Sequence, residues 1–270
     1  MNFGMAEQYG IPCTDVSAKA FGRRAKKQCP FSTGQCNKSG GVCSITDGTQ
    51  IAVVCPRRFE DAGLMYETVS TIAFGITKNV VALPEIRFLK PVHAQGKAVG
   101  NIDNVVARIE GGKLLDWCAL EVQAVYFSGA KMGGEIKYFE EKRKLPKPGQ
   151  RRPDFRSSGP KRLLPQLEIK VPTLRRWGKK MFVAIDQAFF EWLPPMKAEK
   201  HISNADVCWV SFGLKTSENP NKLFHHKTVL TTLEQSREGL VAGNPSDITE
   251  FEMNILSKAR DDSAVIWRGE

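Results

Sequence analysis

Two carboxylates and an amide lie in two neighbouring stretches of apolar, β-type sequence. Asp103 lies in the first stretch, Ile102 to Ile109, and Glu121 and Gln123 lie in the second, Leu114 to Phe127. Burying a charged side chain among apolar residues is costly unless the charge binds something. Residues two apart on a strand project to the same face, so Glu121 and Gln123 can join Asp103 as oxygen ligands of a hard cation such as magnesium. The pattern predicts a metal-dependent site that activates water for attack on a phosphoryl group.

The turn between these stretches decides whether the side chains meet. Glu110-Gly-Gly-Lys113 has the composition of a β-hairpin turn. A two-residue loop would pair Asp103 with Leu120 and point Glu121 to the other face. A three-residue loop, or one bulge, would set Asp103 across from Glu121 with Cβ atoms about 4.5–5.5 Å apart, close enough to share a cation. We predict the bulged or three-residue register; the alternative is that Asp103, Glu121 and Gln123 are polar groups on a solvent-facing strand.

A second candidate metal site involves four of the seven cysteines, which fall within 27 residues: Cys29, Cys36, Cys43 and Cys55. Residues 22 to 57 are polar and poor in large aliphatic side chains, so this segment cannot bury enough apolar surface to fold by itself. A metal bound by four thiolates would supply the missing stabilisation. The spacing matches no compact Cys-x2-Cys knuckle, and buried free thiols are the alternative.

The charge distribution indicates a polyanionic partner. The net charge is +10 and the pI is near 9.3. Between Lys142 and Arg162 there are nine basic residues and one acid, Asp154. Such a run can be a solvated loop, but beside a phosphoryl-transfer site it favours contact with phosphates. We therefore expect a basic, phosphate-contacting loop at about residues 140–165.

Composition and segment patterns predict a soluble cytoplasmic protein. Mean hydropathy is −0.29, and no apolar run reaches the roughly 18 residues of a membrane span. The N-terminus lacks a basic region followed by an apolar core, so neither a signal peptide nor a membrane partner is expected. The histidines show no metal-ligand spacing: His93, His201, His225 and His226.

Hydrophobic periodicity predicts an α/β (α+β) fold, a mixed sheet flanked by helices. Helices are predicted at residues 60–76, 181–193, 232–240 and 246–260. Strands are predicted at residues 80–83, 86–89, 102–109, 114–127, 167–172, 206–212 and 226–231.

Two segments resemble those of the NotI family of restriction endonucleases, a D…ExQ variant of the PD-(D/E)xK nucleases. The first is Asn101-Ile-Asp103 together with Leu114-Leu-Asp-Trp-Cys-Ala-Leu-Glu121-Val-Gln123-Ala-Val-Tyr-Phe-Ser-Gly129, which resembles the active-site segment. The second is Cys29-Pro-Phe, Cys36, Gly41-Val-Cys43-Ser and Cys55-Pro-Arg-Arg-Phe59, which resembles the cysteine module. Two motifs in the same order make the resemblance specific over roughly residues 22 to 130.

The resemblance implies an N-terminal four-cysteine metal-binding module at residues 1–58 and a PD-(D/E)xK nuclease domain at residues 59–270. It makes Asp103 and Glu121 the ligands of catalytic Mg²⁺ and places Gln123 where most relatives of the superfamily have lysine. A neutral amide cannot act as a base, so Gln123 can at most orient the attacking water. The resemblance also implies one iron ion at Cys29, Cys36, Cys43 and Cys55, although tetrahedral sulfur coordination suits zinc equally well.

The predicted function is that of a magnesium-dependent type II restriction endonuclease. A homodimer would hydrolyse phosphodiester bonds at a specific double-stranded DNA site by metal-activated water. One alternative is a noncatalytic nucleic-acid-binding protein with a four-cysteine metal module, and another is a structure-selective repair nuclease of the same fold. Glu85 and Glu67 are candidates for an additional carboxylate in the site, and a surface position is the alternative for each.

Overall fold

A computed structural model describes residues 2–89, 100–216, 220–241, 246–261 and 263, so His93 lies outside the described residues. The strands are β1 (Gly4–Gln8), β2 (Ile11–Pro12), β3 (Val42–Thr46), β4 (Ile51–Val53), β5 (Val80–Arg87), β6 (Asn101–Glu110), β7 (Lys113–Gln123), β8 (Phe127–Gly129), β9 (Arg151–Pro153), β10 (Met181–Asp186), β11 (Val207–Lys215) and β12 (Lys222–Thr231). The α-helices are α1 (Ala18–Ala25), α2 (Leu64–Phe74), α3 (Gly133–Lys142), α4 (Phe155–Ser158), α5 (Leu164–Arg176), α6 (Gln187–Trp192), α7 (Leu233–Val241) and α8 (Ile248–Ala259).

A six-stranded mixed sheet, in the order β12-β11-β10-β7-β6-β5, forms the centre of the molecule. β10 pairs in parallel with both β7 and β11, and the remaining pairs are antiparallel. Successive residues of β10 alternate between two hydrophobic clusters, with Val183 in one and Phe182 in the other. Leu167 of α5 packs in the first cluster and Met65 of α2 in the second, so helices cover both faces. The expected mixed sheet flanked by helices is confirmed.

The segment predicted as a strand at 167–172 is instead the middle of α5, so this prediction is wrong. Alternating Leu167, Ile169 and Val171 resemble a half-buried strand, but Ile169 is exposed in the structure. The buried positions Leu167, Lys170, Val171 and Leu174 recur with the helical period. Lys170 therefore points inward from α5, which matters for the site described below.

The helix predicted at 181–193 is also wrong over its first half. Met181–Asp186 is strand β10, all six of whose residues are buried, and only Gln187–Trp192 forms a helix. A strand covered on both faces has no period-two pattern, and a short apolar run of this kind cannot be distinguished from a helix by periodicity. Asp186 ends the strand by capping α6, because its Oδ1 accepts a hydrogen bond from the Phe189 N–H at 3.1 Å.

Most other predicted elements are found with shifted bounds. The helix predicted from residue 60 begins as a 3₁₀ segment, Pro56–Gly63, and becomes α-helical only at Leu64. The strands predicted at 206–212 and 226–231 correspond to β11 and β12.

Among the described residues, no helix combines the length and apolar character needed to cross a membrane.

The N-terminal region forms its own antiparallel sheet, in the order β2-β1-β3-β4. Its buried residues Phe3, Ile45 and Val54 belong to the same hydrophobic cluster as Val183 of the central sheet. Residues on both sides of position 58 thus share one core. The division into a module at 1–58 and a domain at 59–270 stays a prediction.

Candidate active site

The β6–β7 hairpin has the register that places its two carboxylates together. Next to the Gly111-Gly112 turn, Ile109 pairs with Leu114, but after a bulge Arg108 pairs with Asp116. This shifted register continues to the pair Asn104 and Leu120, so the following positions, Asp103 and Glu121, lie across from each other. The predicted bulged register is confirmed.

Asp103 and Glu121 approach each other in very different surroundings. Glu121 is 1% exposed, whereas the Asp103 side chain is 48% exposed. The two carboxyl groups are close enough to interact electrostatically. Burial raises the pKa of Glu121 and the Asp103 charge raises it further, while the ammonium of Lys170 opposes both effects.

The ammonium beside this pair comes from α5 and was missed in the sequence. Lys170 Nζ lies 2.5 Å from Glu121 Oε2 and 3.7 Å from Asp103 Oδ1. It also donates a hydrogen bond to Gln166 Oε1, one helical turn earlier, at 2.8 Å. The sequence indicates an inward-facing Lys170 only if residues 164–176 are read as a helix. Gln166 and Lys170 then lie on the same apolar face as Leu167 and Val171.

Gln123 lies on the same face of β7 as Glu121 and is almost fully buried. Its Nε2 donates a hydrogen bond to the backbone oxygen of Ala124 at 2.7 Å. That contact fixes the amide at the end of the strand, beside the carboxylates. The amide can hydrogen-bond a water or a substrate oxygen but contributes no charge.

An open cavity of about 690 Å³ exposes this group of side chains. Asp103, Glu121, Gln123 and Gln166 line it together with two cationic residues, Lys38 and Arg162. The Arg162 guanidinium stacks over the Tyr126 ring, 3.7 Å from its centroid. A cavity lined by both carboxylates and cations is suited to a phosphate group that meets a metal ion.

The basic segment at 140–165 is only partly a loop. Residues 143–150 and Asp154 lack helix or strand, and the rest belongs to α3, β9, α4, a π-helical turn (Gly159–Leu163) and α5. Eight of the nine basic residues between Lys142 and Arg162 are exposed, and Arg151 is buried in an ion pair with Glu135 at 2.7 Å. Arg151 is thus part of the core, and the other eight basic residues are accessible to phosphate groups.

The two additional carboxylate candidates are placed differently. Pro84 pairs with Asn104 and Ile86 with Ile102, so Glu85 lies beside Asp103 on the neighbouring strand. Its backbone has φ of +50°, a conformation uncommon outside glycine. Glu67 on α2 lines a different cavity, with Tyr66 and Val81, and is not brought to the site.

The four cysteines of the N-terminal segment lie near one another, but their thiols are not arranged as the ligands of a metal ion. Burial raises the pKa of Cys55, Lys38 lowers it, and the nearby thiols of Cys36 and Cys29 raise it. Cys43 Sγ accepts a hydrogen bond from the Gly10 N–H at 3.3 Å. Across the described part of the chain, no group of three or more His, Cys, Asp or Glu side chains is arranged to hold a metal ion. The four-cysteine metal site therefore stays a prediction.

Magnesium is compatible with the carboxylate pair nonetheless. Mg²⁺ is commonly bound by one or two carboxylates, with waters and substrate phosphates completing its ligands. Asp103 and Glu121 meet that requirement, because they are adjacent and face an open cavity.

Paired carboxylates that face a partly basic cavity could hold a metal ion next to a phosphoryl group. The family model described as "Restriction endonuclease NotI" matches residues 16–225, which include Asp103, Glu121, Gln123 and the four cysteines. The chain therefore belongs to the NotI family of restriction endonucleases, and this membership implies site-specific cleavage of DNA. No curated protein matches the chain.

Proposed function

We propose that the chain is a magnesium-dependent type II restriction endonuclease with a PD-(D/E)xK fold. The observation that carries this proposal is the bulged hairpin register, which brings Asp103 and Glu121 together in the lining of one cavity. Either neighbouring register would have separated the two carboxylates onto opposite faces. Their pairing within the family match supports a role as the Mg²⁺ ligands.

The proposed reaction is hydrolysis of one phosphodiester bond in each DNA strand. The oxygen of water attacks phosphorus as the water gives up one proton, one ester P–O bond breaks, and the leaving alkoxide takes up a proton. When bound, Mg²⁺ activates the attacking water and supplies positive charge against the charge that develops on the phosphoryl oxygens. Asp103 and Glu121 hold the ion, and Gln123 orients the water by hydrogen bonding.

Positive side chains around the cavity would hold the DNA. Lys38 and Arg162 line it, and the 140–165 segment, to which Arg162 belongs, carries further exposed basic residues. Each phosphate contact adds affinity without sequence preference and makes binding salt-dependent. These residues therefore position the duplex, and they carry no information about which bases are read.

Incubation of the protein with plasmid DNA, with and without Mg²⁺, tests the proposal. Discrete fragments with one fixed end sequence support a type II enzyme. A gel shift without cutting supports a noncatalytic binder, and ends that follow DNA structure support a repair nuclease of the same fold.

Replacement of either carboxylate by alanine should abolish cleavage, by at least about 1000-fold in rate, because the ion loses one of two protein ligands. Asp116→Ala is the matched control, since Asp116 lies on the same strand as Glu121 but at the far end, paired with Lys179. Retained turnover in both Asp103→Ala and Glu121→Ala would refute the assignment.

The remaining proposals concern assembly, location and the cysteines. Symmetric cutting of a palindromic site requires two active sites, so we propose a homodimer acting on DNA in the cytoplasm; light scattering of the purified protein measures the mass. We also propose one structural iron or zinc ion at Cys29, Cys36, Cys43 and Cys55, which would require the thiols to draw closer together. Elemental analysis of the wild type and of Cys43→Ser distinguishes iron, zinc and no metal.

A further inference from the structure

The positive charge missing from Gln123 is present in the site on another element. Lys170 of α5 is 4% exposed, and its Nζ lies between the carboxylates of β6 and β7. Its three oxygen neighbours, on Asp103, Glu121 and Gln166, all belong to residues that line the cavity. The ammonium is therefore held in direct contact with side chains that line the proposed active site.

The contacts of Lys170 leave one of its N–H groups without a partner at hydrogen-bonding distance among the described residues. An ammonium has three N–H donors. Two are satisfied at short distance, by Glu121 at 2.5 Å and Gln166 at 2.8 Å. The third neighbour, Asp103, is 3.7 Å away, which is too long for a hydrogen bond. The ammonium thus neutralises buried Glu121 and still has one N–H group that a substrate oxygen could accept.

We infer that Lys170 supplies the catalytic cation of this site by contacting a non-bridging oxygen of the scissile phosphate. This inference rests on the proposed nuclease function. α5 holds the ammonium through Gln166 while its free N–H reaches the substrate, so the charge that most PD-(D/E)xK strands carry at the position of Gln123 comes here from a helix. Lys170 also competes with a divalent ion for the same two carboxylates, because like charges repel at this distance.

Two properties of Lys170→Met separate a catalytic cation from a structural counter-ion. Methionine keeps the unbranched buried stem and removes the charge. Calorimetric titration with Mg²⁺ in the absence of DNA should show binding at least as tight as in the wild type. Single-turnover cleavage at saturating Mg²⁺ should be slower by about 100-fold, the usual effect of removing one group that stabilises charge at a reacting centre.

Three further variants make the test specific. Lys179→Met is the matched control, because Lys179 also pairs with a carboxylate of β7, Asp116, at 2.5 Å and away from the cavity; it should cleave at the wild-type rate. Lys170→Arg keeps the charge and should stay within about 10-fold of the wild type. Adding Gln123→Lys to Lys170→Met returns a cation to the site and should recover about 10-fold of the lost rate.

Wild-type cleavage by Lys170→Met at saturating Mg²⁺ would overturn the inference. So would parallel loss of Mg²⁺ binding and cleavage, which would assign Lys170 to holding the carboxylates in place. A thermal melt shows whether Lys170→Met folds. If it does not, Lys170→Arg is used instead. A decrease in cleavage rate of more than about 100-fold in folded Lys170→Arg counts against the inference. Absence of cutting by the wild type refutes the proposed function instead.

Discussion

Replacing Arg58 by methionine should destabilise the whole molecule, because it leaves a buried carboxylate without its partner. Arg58 is 1% exposed and Glu7 is fully buried. The guanidinium donates to both carboxylate oxygens of Glu7, at 3.0 and 3.2 Å, to Asp61 at 2.9 Å and to the backbone oxygen of Asn221 at 2.8 Å. These contacts connect the N-terminal sheet, the 3₁₀ segment before α2 and the start of β12.

The expected loss follows from what remains after the substitution. Glu7 keeps a hydrogen bond from Ser44 Oγ at 2.9 Å but no buried cation. Removing one partner of a buried ion pair costs about 3–5 kcal/mol, mostly through the uncompensated charge. At about 2–4 °C per kcal/mol for a protein of this size, the melting temperature should fall by about 10 °C. The double variant Glu7→Gln/Arg58→Met should recover at least half of the loss, because no charge is then left buried.

Urea unfolding followed by circular dichroism measures the effect, and Arg57→Met is the control. Arg57 is exposed and pairs with Glu60 at 2.9 Å, so its loss should cost less than about 1 kcal/mol. A cost equally small for Arg58→Met would refute the reasoning. An early, separate transition in the wild type would do so too, because the ion pair and the shared core predict one cooperative unit.

Two other predictions concern pH and salt. Burial raises the pKa of Asp186 to about 7 although backbone N–H groups of Val53, Phe189 and Ala188 lower it. The folded state then holds this proton more tightly than the unfolded state, so the associated stability is full below about pH 4 and is lost as pH rises through 7. The stability of the wild type relative to Asp186→Asn should therefore fall by roughly 2–3 kcal/mol from pH 5 to pH 8 in urea titrations, and a pH-independent difference would contradict this. Neutralising exposed Lys144 and Arg152 to glutamine should reduce the slope of log K for DNA against log salt by about one per lost contact, in binding assays without Mg²⁺. An unchanged slope would remove both residues from the DNA interface.

The local parts of the site could be predicted from the sequence. The Gly111-Gly112 turn and the spacing between Asp103 and Glu121 permit only a few registers, and one of them brings the carboxylates together. Strand alternation then decides which face Gln123 shares. All of this information lies within about twenty consecutive residues.

The contribution of α5 could not be predicted in the same way. Lys170 meets Glu121 across 49 positions of sequence, and its inward direction depends on α5 being a helix. The apolar pattern there fits either a strand or a helix, and the covering of β10 on both faces removes the alternation that would identify the sheet's centre. Because residues 167–172 are predicted as a strand, the direction of the Lys170 side chain cannot be predicted correctly from the sequence.

The burial of Glu121 explains why a cation must be present whichever element supplies it. A carboxylate that is 1% exposed is stable as an anion only beside a positive charge or a metal ion. In a strand with lysine two residues later, the strand itself can provide that charge. Gln123 cannot, and a residue on the helix packed against the same face is then the nearest alternative. Lys170 occupies that position, so the amide at 123 and the buried lysine on α5 are two parts of one electrostatic requirement. A chain carrying lysine at both positions would place two ammonium groups beside one buried carboxylate, and we expect it to bind Mg²⁺ more weakly than the wild type.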